Sequence, residues 1–351
     1  MMNMEKNKFS VASFFSGAGG FDKGFERKGF DIVIANDVWH DACQTFKLNH
    51  PNTAIFEKDI SELSEKEIKV AMGSKKISNI DVVIGGPPCQ CFTRLNNEFL
   101  IKNKEDSRRE LFKEYIKKIR LLKPKLIFME NVRDLITRKD KFGVNYDKVI
   151  LNEFKKSGYF CTYFILNAVN FNVPQERLRI LFVATNNSII EEKIKGNIDF
   201  FEKAAKHPKP IRKFLNKLIN GKNLKNNEIT KNEPGTLEKI RNVPQGGYYE
   251  HLPDHLKTKK IRNGKKVIVK RYGSYYRRLH NDNPAKTITT NYIIHPTKNR
   301  YLTNREKATL HSFPKNYFFS GGMGSVSQQI ANAVPPNFSA AIADYARFLL
   351  N

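Results

Sequence analysis

The sequence predicts an α/β protein built on an open sheet, with a second, smaller domain. Three observations carry that reading. Short apolar runs at residues 9–15, 80–84 and 126–129 each stop at a turn of distinctive chemistry. A glycine loop, Ser16-Gly17-Ala18-Gly19-Gly20, separates the first run from aromatics at helical spacing. After Asn186 lysine, asparagine and Pro/Gly turns replace the longer apolar segments. A chain of 351 residues has room for about two domains.

The first run is aromatic-rich and short, as suits a strand. Phe21, Phe25 and Phe30 then fall near helical spacing, with Gly29 as a C-cap. A second strand over residues 31–35 ends at Asn36-Asp37, which sets a carboxylate about twenty residues past the glycine loop, where nucleotide-binding sheets hold ribose hydroxyls. Asp22 stands where the third glycine of G-x-G-x-x-G belongs. A ligand with an adenosine but no pyrophosphate therefore fits better than a dinucleotide, although a glycine turn also serves as a plain tight connection. Lys58-Asp59-Ile60 is expected to close a third strand before a lysine-rich helix over residues 65–72. Asp59 either faces an adenine amino group or caps that segment.

Gly85-Gly86-Pro87-Pro88-Cys89-Gln90 follows the apolar run 80–84 directly. Two glycines and two prolines end the strand and fix the backbone, so Cys89 is expected at the carboxyl end of the sheet, where open α/β folds bind ligands. Residues 93–109 are polar and basic and read as a mobile loop able to close over nucleic acid, ahead of a helix over 110–122. Strand 126–129 then delivers Glu130-Asn131-Val132 to the same edge as Cys89. Glu130 either shares a substrate with the thiol or caps locally beside Arg133 and Asp134. Runs 159–166 and 179–185 read as paired strands, and alternation is expected to set Arg177 and Arg179 on one face.

In the second domain Tyr248, Tyr249, Tyr272, Tyr275 and Tyr276 lie among Lys265, Lys266, Lys270, Arg271, Arg277 and Arg278, a mixture suited to phosphate contact and stacking. A late helix is capped from Thr303 to Glu306, and an amphipathic helix after the turn 331–336 is expected to dock on the first domain.

Lys plus Arg number 61 against 35 Asp plus Glu, a net charge of +26 with pI near 9.8. Such a surface favours a polyanion, with nucleic acid first. Four cysteines without CxxC spacing make no disulfide framework and fit a reducing compartment. Cys89-x-Cys91 lacks a second pair, and His251 and His255 flank the helix breaker Pro253, so no metal is expected. The N-terminus has no apolar signal segment and no run is long enough to span a bilayer, so a cytoplasmic protein without membrane attachment is expected.

Six motifs in order resemble the DNA (cytosine-5-)-methyltransferase family of the bacterial restriction-modification type over nearly the whole chain. They are Phe15-Ser16-Gly17-Ala18-Gly19-Gly20-Phe21, Pro87-Pro88-Cys89-Gln90, Glu130-Asn131-Val132, Gln175-Glu176-Arg177-Leu178-Arg179, Arg300-Tyr301-Leu302-Thr303-Asn304-Arg305-Glu306, and the run from Gln329 through Asn332 to Pro336. The resemblance implies an S-adenosylmethionine-dependent methyltransferase (Rossmann-like) sheet from residues 1–186 and 325–351, and a smaller target-recognition domain and hinge over 187–324. It implies Cys89 as the nucleophile toward C6 of cytosine, Glu130 on the N3/N4 edge, and Arg179 with Arg177 at the base carbonyl or a phosphate. Phe15, Gly17, Ala18 and Gly19 are implied around the methionine and ribose of S-adenosylmethionine, Asp37 at the ribose hydroxyls, and Asp59 and Ile60 at the adenine. Val38, Pro88 and Asn332 complete the implied cofactor set, and Gln90, Arg94, Gln175, Thr287, Thr289 and Arg305 the implied DNA contacts. Val38 stands where an aromatic is usual, with Trp39 one residue later, and Ala331 replaces the usual glycine.

The implied partner is double-stranded DNA, acted on by a monomer, with a cognate restriction endonuclease in the same cell. A transfer-RNA cytosine-5 methyltransferase of similar type is the nearest rival, and Phe92-Thr93-Arg94 is similar to that subgroup. The extended basic segment, with Pro284-Ala285-Lys286-Thr287-Ile288-Thr289 before the late helix, resembles the DNA enzymes instead. A binding protein that has lost catalysis is the third reading, against which stands the intact set of Cys89, Glu130, Arg177 and Arg179.

Overall fold

Strands buried on both faces read as continuous apolar runs, and the central strands of this protein are of that kind. The computed structural model describes residues 8–88, 111–218, 224–262, 264–269, 275–290 and 292–351. The expected loop over 93–109, with Cys89, Gln90 and Arg94, lies outside the described residues. The chain divides into two units: Met1–Phe171 with Leu178–Ala205 and Ala333–Asn351, and Asn172–Arg177 with Lys206–Asn332.

The first unit holds seven strands: β1 Ser10–Phe14, β2 Asp31–Asp37, β3 Ala54–Glu57, β4 Val82–Gly85, β5 Leu126–Val132, β6 Phe160–Asn167 and β7 Leu178–Thr185. Their order is β3-β2-β1-β4-β5-β7-β6, parallel except that β7 runs against both of its neighbours. The order reverses between β1 and β4, and the crevice outside the carboxyl ends at such a switch point is where open α/β sheets bind ligands. Helices α1 Gly20–Arg27, α2 His40–Asn49, α3 Glu65–Ser74, α4 Leu111–Leu122, α5 Tyr146–Lys156, α6 Ser188–Gly196 and the short α7 Phe200–Lys203 belong to this unit. The third strand ends at Glu57, earlier than its sequence suggests, because Asp59 accepts from Ser61 N at 2.8 Å and turns the chain into a 3-10 helix, Ile60–Glu62.

The C-terminal helix, Pro336–Leu350, packs on α1. Gly24 makes this approach possible, since a Cβ there would lie 2.3 Å from the Ser339 side chain. The Ser339 hydroxyl donates to the Phe21 carbonyl. Tyr345, on the same helix, is fully buried and packs against Phe164, Phe200 and Phe201. Each such side chain contributes about 1.5–3 kcal/mol by leaving water.

Asp22 on α1 is completely buried, and neither carboxylate oxygen accepts a well-formed hydrogen bond. Burial pushes its pKa up to about 6, against the opposing influence of His50 and Ser13. The folded state therefore holds this proton longer than the unfolded chain does. Its contribution to stability falls as pH rises from about 4 to about 6, and the penalty is complete above that window. Asp22→Asn is expected to gain about 3 kcal/mol in urea unfolding at pH 7.5 and well under about 1 kcal/mol at pH 4. An equal gain at both pH values would contradict this account of the carboxyl.

In the second unit, α8 Arg212–Leu215, α9 Pro234–Asn242, α10 Asn304–Leu310 and α11 Met323–Asn332 surround two small apolar clusters, one around Ile211, Leu279 and Ile293 and one around Ile240, Tyr249 and Ile294. Thr303 and Glu306 form the expected capping box on α10, and Arg300 grips the Glu306 carboxylate with two bonds of 2.7 Å. Arg278 differs from its expected surface role. It is buried, donating to the carbonyls of Val243 at 2.8 Å and His295 at 3.1 Å, while Tyr249 is core. The hairpin of β8 Lys259–Arg262 and β9 Lys265–Ile268 is exposed along nearly its whole length, with Lys259, Lys260, Arg262, Lys265 and Lys266 as its cations.

Candidate active site

The carboxyl ends of β1, β2, β4 and β5 bring several sequence-predicted residues onto one rim. Between β1 and α1 the backbone is left-handed at Phe15 (φ 55°), Gly17 (φ 52°) and Gly19 (φ 78°). For a bulky residue such as Phe15 that conformation is strained, and strain of this kind collects at functional turns. The turn is held to β2: Ser16 N donates to Asn36 O at 3.0 Å and Gly17 N to Asp37 Oδ2 at 2.7 Å. Asp37 Oδ1 accepts from Trp39 N at 2.9 Å. Burial raises the Asp37 pKa, opposed by the backbone N–H groups of Trp39, Gly17 and Val38. With three of its roughly four acceptor sites taken by these N–H groups, the Asp37 carboxylate keeps about one site open. Beside it Val38 is 69 % exposed, an apolar side chain open at the rim, while Ala18 and Ile60 are buried.

Glu130 lies on β5, with only 10 % of its side chain exposed. Arg179 Nε meets its Oε1 at 2.8 Å. The reversal of β7 explains the pair: Arg179 lies opposite Val132, two residues beyond Glu130, so the two side chains meet diagonally on one face. The run before Cys89 is held against the same strand. Asn131 Nδ2 donates to Pro87 O at 3.2 Å, and a Cβ on Gly86 would touch Glu130 Oε2 at 3.6 Å. Gly85 is obligatory for packing, since a Cβ would lie 2.5 Å from the Tyr115 ring. Pro88, half-buried, is the last described residue before the thiol. Asn131, to which the sequence assigns no role, thus tethers the strand to the proline turn.

Strand β7 begins at Leu178, so the alternation that orients Arg179 does not extend to Arg177. Arg177 is buried in the second unit, donating from Nη2 to Ala331 O at 3.0 Å. Gln175 is wholly buried there, its amide nitrogen 3.0 Å from His311 Nδ1 and its oxygen accepting from Ile288 N at 3.0 Å. Arg305 is 1 % exposed and donates to the carbonyls of Lys225, Pro314 and Tyr317. Burial assigns Gln175 and Arg305 to the scaffold of this unit, where a DNA contact had been expected. Thr287 Oγ1 donates to Glu176 O at 2.8 Å, and the Thr289 hydroxyl is enclosed. Asn332 is exposed, its Oδ1 accepting from Gln328 at 2.6 Å.

The two cysteines within the described residues are poor nucleophiles. Burial, then Asp37 and Glu57, push the Cys43 thiol up to about 12, and burial raises Cys161 well above its ordinary value. Among the described residues no cluster of His, Cys, Asp and Glu has the makings of a metal site, and no helix is long and apolar enough to cross a membrane.

A parallel sheet whose switch point presents a left-handed glycine turn, a carboxylate and an exposed apolar side chain is the architecture of a nucleoside-binding α/β enzyme. Comparison with known proteins narrows it. The family model for C-5 cytosine-specific DNA methylases matches residues 9–346. The type II methyltransferase M1.HphI of Haemophilus parahaemolyticus is 33% identical over 340 residues, which cover 94% of this chain and 84% of that protein. M.NgoFVII of Neisseria gonorrhoeae is 31% identical, over 95% and 85% of the two chains. A prophage-encoded DNA modification methyltransferase of E. coli shares the fold, with a TM-score of 0.71 at 22% identity over 98% of this chain and 100% of that one. The chain belongs to the C-5 cytosine-specific DNA methylase family and is a DNA cytosine-5 methyltransferase. Family membership implies S-adenosylmethionine as methyl donor.

Proposed function

We propose that the protein methylates C5 of a cytosine flipped out of a specific double-stranded DNA sequence, through a covalent bond between Cys89 and C6, as the modification enzyme of a type II restriction-modification system. The observation that supports this reading is the Glu130–Arg179 pair beside Gly86, a buried carboxylate at the end of the Gly86–Pro88 run that precedes Cys89 in the sequence. C5 of cytosine is a weak nucleophile. Addition of the Cys89 thiolate to C6 makes C5 an enamine-like carbon able to accept a methyl group. Glu130, oriented by Arg179, hydrogen-bonds the N3/N4 edge as charge develops on the ring. Loss of the C5 proton then breaks the C6–S bond and restores the thiolate. These atoms are inaccessible in a stacked duplex, so the base leaves the helix before reaction.

S-adenosylmethionine would supply an electrophilic methyl group and leave as S-adenosylhomocysteine. The residues present suit it: Asp37 keeps acceptor capacity for ribose hydroxyls, Val38 offers an open apolar surface for the adenine, and Phe15, Gly17, Ala18 and Gly19 form the turn beside them. Asp59 already caps the 3-10 helix, so Ile60 with Val38 is the better apolar contact. Arg177 and Asn332 support the motif around Ala331. The exposed cationic hairpin β8–β9 suits DNA, since a two-stranded ribbon fits the major groove. The modification role is supported by the type II relatives.

Trapping tests the covalent step. Fluorine in place of the C5 hydrogen blocks the final elimination, so duplex DNA with 5-fluorocytosine is expected to form a Cys89 adduct, seen by intact mass, only when S-adenosylmethionine is present. Methylation of ordinary DNA without a trapped adduct would rule the covalent route out.

A further inference from the structure

The connection from β5 to α5 holds a 3-10 helix, Arg133–Thr137, followed by eight residues, 138–145, whereas such loops usually run about 2–6. Its tip is a constrained turn. Lys139 bridges Asn145, and Asp140 N donates to Val144 O at 2.8 Å. Asp140 Oδ1 accepts from the backbone N–H groups of Phe142 and Val144, each at 2.9 Å. Gly143 completes the turn at φ 82°. This ordered tip holds Phe142 78 % exposed and Val144 42 % exposed, with Lys141 Nζ 5.1 Å from the centre of the Phe142 ring. Lys139 and Lys141 are exposed and have no carboxylate partner among the described residues. The acid of the turn, Asp140, is occupied in holding its shape. An aromatic and two lysines are thus presented to solvent by a turn whose own hydrogen bonds keep them there.

The turn belongs to the connection that leaves β5 at its carboxyl end, two residues after Glu130, with the 3-10 helix Arg133–Thr137 between strand and turn. A cytosine flipped toward Glu130 remains attached to its duplex, so the flanking backbone crosses the rim. We propose that the 139–145 turn is a DNA-backbone clamp of the catalytic unit: Lys139 and Lys141 neutralise phosphates beside the flipped nucleotide, and Phe142 packs on an adjacent deoxyribose. Charge complementarity and continuity with the rim select duplex DNA as the occupant. The inference rests on the reading of Glu130 as the base-pocket carboxylate.

The test is steady-state methylation of unmethylated plasmid DNA by the full-length protein, for wild type, Lys139→Ala/Lys141→Ala, Lys139→Arg/Lys141→Arg and Phe142→Ala. All three side chains lie at the surface, and a thermal melt checks that each variant folds. The double alanine variant is expected to raise KM for DNA at least ~fivefold with kcat within about twofold, and to make the salt slope of log(kcat/KM) shallower by about 1.8, since each lost phosphate contact removes about 0.9. The arginine pair restores the wild-type slope, and Phe142→Ala raises KM about threefold without changing it. Wild-type KM and slope in the double alanine variant, with wild type active, overturn the clamp and leave the catalytic reading intact. A wild type that methylates no DNA overturns both.

Discussion

Cys89→Ser is expected to lower methyl transfer to DNA by on the order of 10³-fold or more, a barrier increase of about 4 kcal/mol, while leaving DNA binding within a fewfold of wild type. The size of the loss follows from acidity. A thiol near pKa 8.5 supplies some thiolate at neutral pH. A serine hydroxyl supplies almost no alkoxide, so the addition to C6 that activates C5 fails. Cys43 and Cys161 cannot substitute, because burial raises both thiols. Methyl transfer that survives in Cys89→Ser would place the nucleophile elsewhere.

The Glu130–Arg179 pair carries the second large effect. Arg179→Ala leaves the Glu130 carboxylate buried without its partner, and removing one member of such a pair typically costs about 3–5 kcal/mol of stability. Glu130→Gln keeps the shape and a polar oxygen beside Arg179 Nε, so the fold survives, but charge developing on the ring loses its partner. A fall in kcat of roughly 10²–10³-fold with little change in KM for DNA is expected. Chemical denaturation and steady-state kinetics separate the two effects. A Glu130→Gln enzyme with wild-type kcat would reduce the carboxylate to a structural role, the local-capping alternative open at the sequence level.

What the sequence made legible is local. Apolar runs announce β1, β4 and β5, and the residues after them, Gly17, Gly86 and Glu130, could be assigned to one rim because parallel strands end on the same side. The spacing from the glycine loop to Asp37 marks that carboxylate for a ribose; its bond from Gly17 N–H, which ties it to the loop, is not read from the spacing. What could not be read depends on partners distant in sequence. The reversed direction of β7 brings Arg179 to Glu130, and no local pattern specifies that register. Arg278 and Arg305 look like surface cations, yet carbonyls from several loops surround them. Gly24 looks like an ordinary helix glycine until Ser339 is packed against it. Asp59 was a local signal that was available: an Asp-x-Ser sequence is a turn and cap former before it is a ligand site.

The most direct measurement follows a labelled methyl group from S-adenosylmethionine into unmethylated duplex DNA and, in parallel, into bulk transfer RNA, with wild type and Cys89→Ser. The account predicts label in DNA, recovered as 5-methylcytosine at a defined sequence and absent with the variant. Label confined to transfer RNA, or DNA labelling that persists in Cys89→Ser, would contradict it.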